Sequence, residues 1–214
     1  MSPPPRREPA GRDVSERVVA VLVRPTRELP ADLAAAMLSD VVDLVADTPQ
    51  VDSALVVASG AQSLADSVAW PGTLQVAVSA DPTLTELLAA VAPLATAAAA
   101  VVVPDVPDLP TLLIGKLFSA LAGPPRRALA VSPAQAGGLV AAATSSPGPA
   151  DWLGAGLRLD DAGVLDQVRQ AAPPREVVVG PGWHRVRSEA DLARLDPGLE
   201  GWEATRTWLA GPSR

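Results

Sequence analysis

"VVVPDVPDLPTLL", residues 101–113, carries a β-branched run into a turn studded with Pro104, Asp105, Pro107 and Asp108, then into an apolar helical pattern. The run is short and free of charge, so it reads as a buried strand. "TLLIGKLFSAL" (111–121) reads as the helix that follows. Asp105 therefore stands at the C-terminal end of a strand, where open α/β sheets bind their ligands. Two readings of it compete: a metal or ribose contact, or a residue of the turn that a strand needs before its helix.

The same alternation continues to either side. "RVVAVLV" (17–23), "SALVVAS" (53–59) and "LQVAV" (74–78) read as strands, and "AAVVV" (99–103) as the fourth. Between them, "ADLAAAMLSDVVDLVAD" (31–47) places Leu33, Met37, Val41 and Leu44 on one helical stripe. Asp40, Asp43 and Asp47 then read as a solvated face. "QSLADSV" is a short helix, and "DPTLTELLAAVAPLA" a helix with an Asp-Pro start. Strands alternating with helices at this spacing predict βαβ units and a mainly parallel sheet covered on both faces.

Further along, "ALAVS" (128–132) and "GGLVAAA" (137–143) read as strands, and "SSPGPADWLGAG" as a loop. "DDAGVLDQVRQAA" (160–172) reads as a helix and "EVVVG" (176–180) as a strand. "SEADLARL" (188–195) reads as a helix with Ser188 as N-cap and Asp191 at the capping-box position. A last short helix carries Trp202 and Trp208, suited to covering the sheet edge of the same chain or a partner subunit. No internal repeat is visible.

Composition narrows the function. At 214 residues, one domain over 16–210 is expected behind a Pro- and Arg-rich disordered tail, 1–15. Aromatics are only 3%, so the core must be built from Ala, Val and Leu. With no Cys there is no disulfide, thiolate metal site or Cys nucleophile. The net charge of −7 argues against a nucleic-acid surface. No apolar run approaches a membrane span and no signal peptide precedes the first strand, so a cytoplasmic protein, monomer or homodimer, is expected. Lys116 is the sole Lys and His184 the sole His, which leaves one candidate for each cationic role on phosphate or as base.

The order of these pieces resembles the one-domain nucleotide-diphospho-sugar transferase, or glycosyltransferase-A-like, fold over roughly 17–196. The small "transferase 1, radical-SAM/selenodomain-associated" glycosyltransferase-like group and the 2-phospho-lactate guanylyltransferases are the most similar. "LPADLAAAMLSDVVDLVA" resembles their helix after the first strand, and "VVVPDVPDLPTLL" their Gly-Thr-Asp-Cys-Pro-x-Leu-Thr segment, with Asp105 on the family Asp. "SPAQAGG" resembles Pro-Ala-x-Asp-Gly-Gly, with Gly137 and Gly138 on the glycines and Ala136 in place of the acid. "HRVRSEADLARL" resembles Asp-Val-Asp-Thr-Pro-Glu-Asp-Leu, with Arg185 and Arg187 in place of both acids. The resemblance implies a three-layer α/β/α sandwich with a mixed, mostly parallel sheet. It also implies transfer of a nucleotidyl or glycosyl group from a nucleotide bound with Mg²⁺ or Mn²⁺.

The departures fall on the chemistry. Relatives carry a Gly-Arg-x-Lys-Thr-Arg-Leu loop after the first strand, an anion nest with point charges. Here "RPTRE" offers only Arg24 and Arg27. Of the family carboxylates, Asp105 alone remains. The expectation is a catalytically degenerate protein, a pseudoenzyme acting as a binding or regulatory module for a nucleotide or other anionic small molecule, with no resident cofactor. Its ligand-binding candidates are Arg24, Arg27, Asp105, Gly137, Gly138, His184, Arg185 and Arg187. Two alternatives stand beside it: a structural subunit paired with an active relative, and a divergent transferase using Asp105 and Lys116 as catalytic candidates, with Arg24 and Mg²⁺ or Mn²⁺. Lys116 also reads as a surface Lys, and Asp108 as an N-cap or turn acceptor. If either Arg185 or Arg187 projects toward Asp105, it is expected to pair with that carboxylate and take the metal's place.

Overall fold

The computed structural model describes residues 15–26, 28–123 and 127–211. The tail expected over 1–15 lies outside the described residues except for Ser15, which already opens the first strand. The elements are β1 (Ser15–Val23), α1 (Ala31–Ala46), β2 (Asp52–Ala58), α2 (Gln62–Val68), β3 (Leu74–Val78), α3 (Leu84–Val91) and β4 (Ala95–Val102). Then follow α4 (Thr111–Ala122), β5 (Leu129–Pro133), β6 (Leu139–Ser145), α5 (Val164–Ala171), β7 (Val177–Val179) and α6 (Glu203–Leu209).

The strands form one seven-stranded sheet in the order β3-β2-β1-β4-β6-β5-β7. β1 pairs in parallel with β2 and β4, with Val21 opposite Leu55 on one side and Val102 on the other. β3 extends this parallel block beyond β2. β6 runs antiparallel between β4 and β5, and β7 closes the far edge parallel to β5. The mixed, mostly parallel sheet expected from the alternating pattern is therefore present. Val18–Val23 and Ala98–Val102 are all buried, as uninterrupted apolar runs in central strands must be. Among the described residues, no helix is long and apolar enough to cross a membrane.

Several boundaries differ from the expectation, each for a local reason. α3 starts at Leu84, because the Thr83 side chain, not the Asp81-Pro82 pair, caps it by accepting the Glu86 N–H at 3.1 Å. That helix ends in a 3-10 turn at Ala92–Leu94, where Pro93 has no N–H to continue it. β4 begins four residues early because its alanines pair with the start of β1, Ser15 opposite Ala95. Gly137 and Gly138, expected at the start of β6, form the turn before it. α5 starts at Val164 after a turn over 160–163. Residues Glu189–Arg194 wind as a 3-10 helix, with the Ser188–Asp191 capping box present.

α1 carries the clearest correction. Leu33, Met37 and Val41 are buried and Leu44 is half-buried, but Asp40, read as solvated, is buried as well. Its two oxygens accept the backbone N–H groups of Ala204 (2.9 Å) and Thr205 (2.8 Å) in the first turn of α6. α6 packs on α1 rather than on a sheet edge: Leu29, Leu33, Met37, Val186, Leu195 and Trp202 form a second apolar cluster, with Trp208 against it. Both tryptophans thus cover their own chain, and the Arg206 guanidinium sits 4.3 Å from the Trp202 ring.

Candidate functional site

Beyond the C-terminal ends of β1 and β4, three chain segments converge. Arg24 follows β1, and Asp105 follows β4. The segment 183–187 returns after β7 and is stitched in by backbone bonds, Trp183 N–H to Pro133 O at 3.1 Å and Val186 N–H to Asp105 O at 2.8 Å. The last of these bonds lays Arg185 beside the carboxylate of the very residue that anchors it.

Arg185 is the hub. Its Nε donates to Asp105 Oδ1 at 2.8 Å and its Nη2 to Asp105 Oδ2 at 2.7 Å, a bidentate pair. Nη1 donates to Leu139 O at 3.2 Å and lies 2.8 Å from Asp160 Oδ1. The side chain is only 2% exposed, so these partners are what keep its charge tolerable. Burial works against that charge, but Asp105 and Asp160 outweigh it and raise its pKa.

Asp160 is the second acid of the cluster, and sequence reasoning missed it. It sits in the loop before α5, which is tied to β6 by the Leu139 N–H to Leu159 O bond at 2.7 Å. Arg24 Nη1 donates to its Oδ2, and Arg187 Nη2 lies 3.6 Å from its Oδ1. Burial pushes the Asp160 pKa up, yet the Arg24 hydrogen bond and the Arg185 charge win and hold it well below the usual carboxylate range. Arg187 fares differently. Burial and repulsion from Arg185 lower its pKa, and its buried Nη2 has no hydrogen-bond partner.

Gly138 makes room for this arrangement. With φ at +84°, a Cβ there would stand 2.6 Å from Arg187 Nη2 and 2.7 Å from Leu159 O. Gly137, at φ +91°, closes the turn by donating its N–H to Ala134 O at 3.1 Å. Arg24, Asp105, Asp160, Arg185 and Arg187 line a cleft of about 500 Å³, with the exposed Glu28 among its other walls.

The remaining candidates are elsewhere. Lys116 is exposed on α4 and does not line the cleft. His184 is buried against Trp183, ring centroids 4.9 Å apart, with Nε2 3.0 Å from Asp108 Oδ2 in a geometry short of a hydrogen bond. Asp108 does not cap α4, whose N-cap is Pro110. It is a buried acceptor instead, taking the Trp183 indole N–H at 3.1 Å and the Asp196 N–H at 2.9 Å. Arg27 lies outside the described residues.

A divalent ion of the kind the resemblance implies wants several oxygen ligands. Both oxygens of Asp105 accept from Arg185, and Asp160 lies between Arg24 and Arg185. Among the described residues, no group of three or more His, Asp or Glu could hold a metal. The side chains present do not fit the ion.

No protein-family model matches the chain. No curated protein matches it either. Solved structures do. A Desulfovibrio desulfuricans G20 protein, assigned as a nucleotide-diphospho-sugar transferase, is similar at TM-score 0.63 and 15% identity over 92% of this chain and 96% of that one. Rv0371c from Mycobacterium tuberculosis H37Rv follows at TM-score 0.55 and 20% identity, covering 86% and 98%, and that protein has also been solved with manganese. A CMP:2-keto-3-deoxy-manno-octonic acid synthetase complexed with CTP gives TM-score 0.53 and 10% identity over 84% and 96%. With the parallel block, the inserted antiparallel β6 and the cleft at the strand ends, this chain has the nucleotide-diphospho-sugar transferase fold.

Proposed function

We propose that this chain is a catalytically degenerate protein of nucleotidyl- and glycosyltransferase-like fold, acting as a binding module for an anionic small molecule without a divalent ion. One observation carries the reading: Arg185 occupies both oxygens of Asp105 and approaches Asp160, so a guanidinium sits between the two carboxylates of the cleft. At about 5 Å and an effective dielectric of about 20, a guanidinium opposes a divalent ion by roughly 6–7 kcal/mol before screening. Arg24 and Arg187 supply the charge an anion would meet instead.

Calorimetry with Mn²⁺, and melting curves with GTP, CTP and UTP with and without Mg²⁺ or Mn²⁺, test this. The expected results are no micromolar Mn²⁺ binding and no metal-dependent stabilisation by any nucleotide. A bound nucleotide at 100 times its dissociation constant would add about 2.7 kcal/mol, a readily measured shift. Micromolar Mn²⁺ binding that Asp105→Ala abolishes would overturn the proposal and restore a divergent transferase. The double variant Arg185→Asp with Arg187→Asp is expected to gain Mn²⁺ affinity.

A further inference from the structure

The cleft has an apolar neighbour. Arg24, Pro25, Thr26 and Asp105 line not only the arginine cleft but also a second pocket of about 260 Å³ on the side of α1 and α2. The walls that this pocket does not share are mainly hydrocarbon: Ala34, Met37 and Leu38 from α1, with Ala61 and Leu64 from the start of α2. Ala34 is only half-buried, and its small side chain leaves the space open. On the other side, Arg24, Arg185 and Arg187 face Asp105 and Asp160, with the exposed Glu28 among the walls, so three guanidiniums stand against three carboxylates and what is left over is hydrogen-bonding capacity. Arg187 is the least firmly held of the three: its buried Nη2 lies 3.6 Å from Asp160 Oδ1 and has no hydrogen-bond partner. An under-bonded guanidinium in a cleft that shares Arg24 and Asp105 with a hydrocarbon pocket suits one ligand that satisfies both.

We infer that the two compartments form a single site for an amphipathic anion, a carboxylate or phosphate monoester head on Arg24 and Arg187 with a compact apolar body between α1 and α2. This rests on the metal-free anion-binding reading above and adds the ligand's chemical class. The head gains charge-assisted hydrogen bonds, and the body gains burial that no free inorganic anion can reach.

The test compares each headgroup with its apolar ester or homologue on the full chain, without metal: inorganic phosphate against phenyl phosphate, and acetate against octanoate. In at least one pair, the probe with the apolar body is expected to bind about tenfold tighter or more. Ala34→Phe, which fills the pocket, should erase that gain while leaving the bare headgroup's affinity unchanged. Ser63→Phe on the α2 wall repeats the test should Ala34→Phe fail to fold. Arg187→Gln should weaken both members of the pair. Equal affinities within both pairs, or a gain that survives Ala34→Phe and Ser63→Phe, would sink the two-compartment site and leave the metal-free reading standing. UTP binding that requires Mn²⁺ would sink the underlying reading as well.

Discussion

The Asp40 carboxylate, at the middle of α1, accepts the backbone N–H of Thr205 at 2.8 Å, 165 residues along the chain. A second bond, from the Ala204 N–H at 2.9 Å, makes Asp40 the side chain that satisfies the start of α6 from outside. Burial raises the Asp40 pKa, and the bonds from α6 only partly offset it, so the carboxylate is held there at a cost. Asp40→Ala is expected to lose about 1–2 kcal/mol, the worth of a helix cap, and to lower the melting temperature by roughly 2–8 °C. Fluorescence of Trp202 and Trp208 should report α6 loosening. An unchanged melting point would refute the capping role.

Acid should act through Asp160. Its folded-state pKa is depressed, so its contribution to stability is present above the unfolded value of about 3.9 and is lost as pH falls through the folded one. Asp160 is 40% exposed, and screening reduces its worth to about 1 kcal/mol at neutral pH. Asp160→Asn should therefore be less stable than the unmodified protein at pH 7, with the gap beginning to close below about pH 4. Urea denaturation from pH 7 to pH 3 reads this directly, and a constant gap across that range would contradict it.

Gly138→Ala is predicted to destabilise by more than about 2 kcal/mol, because a Cβ at φ +84° is strained and would meet backbone as well as Arg187. Gly60→Ala makes the control: its φ is +87°, but nothing lies within 4 Å of the added atom. If both variants lose the same stability, backbone strain alone explains the effect and the close approach to Arg187 does not matter.

The strands and the Asp105 turn were legible because a β-branched run flanked by prolines has few other ways to fold. Pairing of Asp105 with Arg185 followed from arginines standing where the resembled family has acids, and the geometry bears it out. Asp40 was misread because Asp40, Asp43 and Asp47 recur with helical spacing like any solvated stripe. What buries the first of them is α6, which local periodicity cannot bring to mind. Asp160 was missed for the same reason. Next to Asp161 it looks like part of a helix start, and only the Leu159–Leu139 backbone bond carries it to the arginines. Lys116, singled out because it is the sole Lys, stands exposed on the outside of α4.

The cleft is completed late in synthesis. Arg185 follows Asp105 by 80 residues, which at 5–20 residues per second is a delay of about 4–16 s on the ribosome. Until then, among the described residues, the cleft holds Arg24 as its one guanidinium, paired with Asp160, and the loop closed by Arg185 is a long-range contact of the kind that slows folding. The ion cluster therefore marks a chain made to its end: one cut short before residue 185 would carry every strand of the sheet and still lack the hub of its cleft.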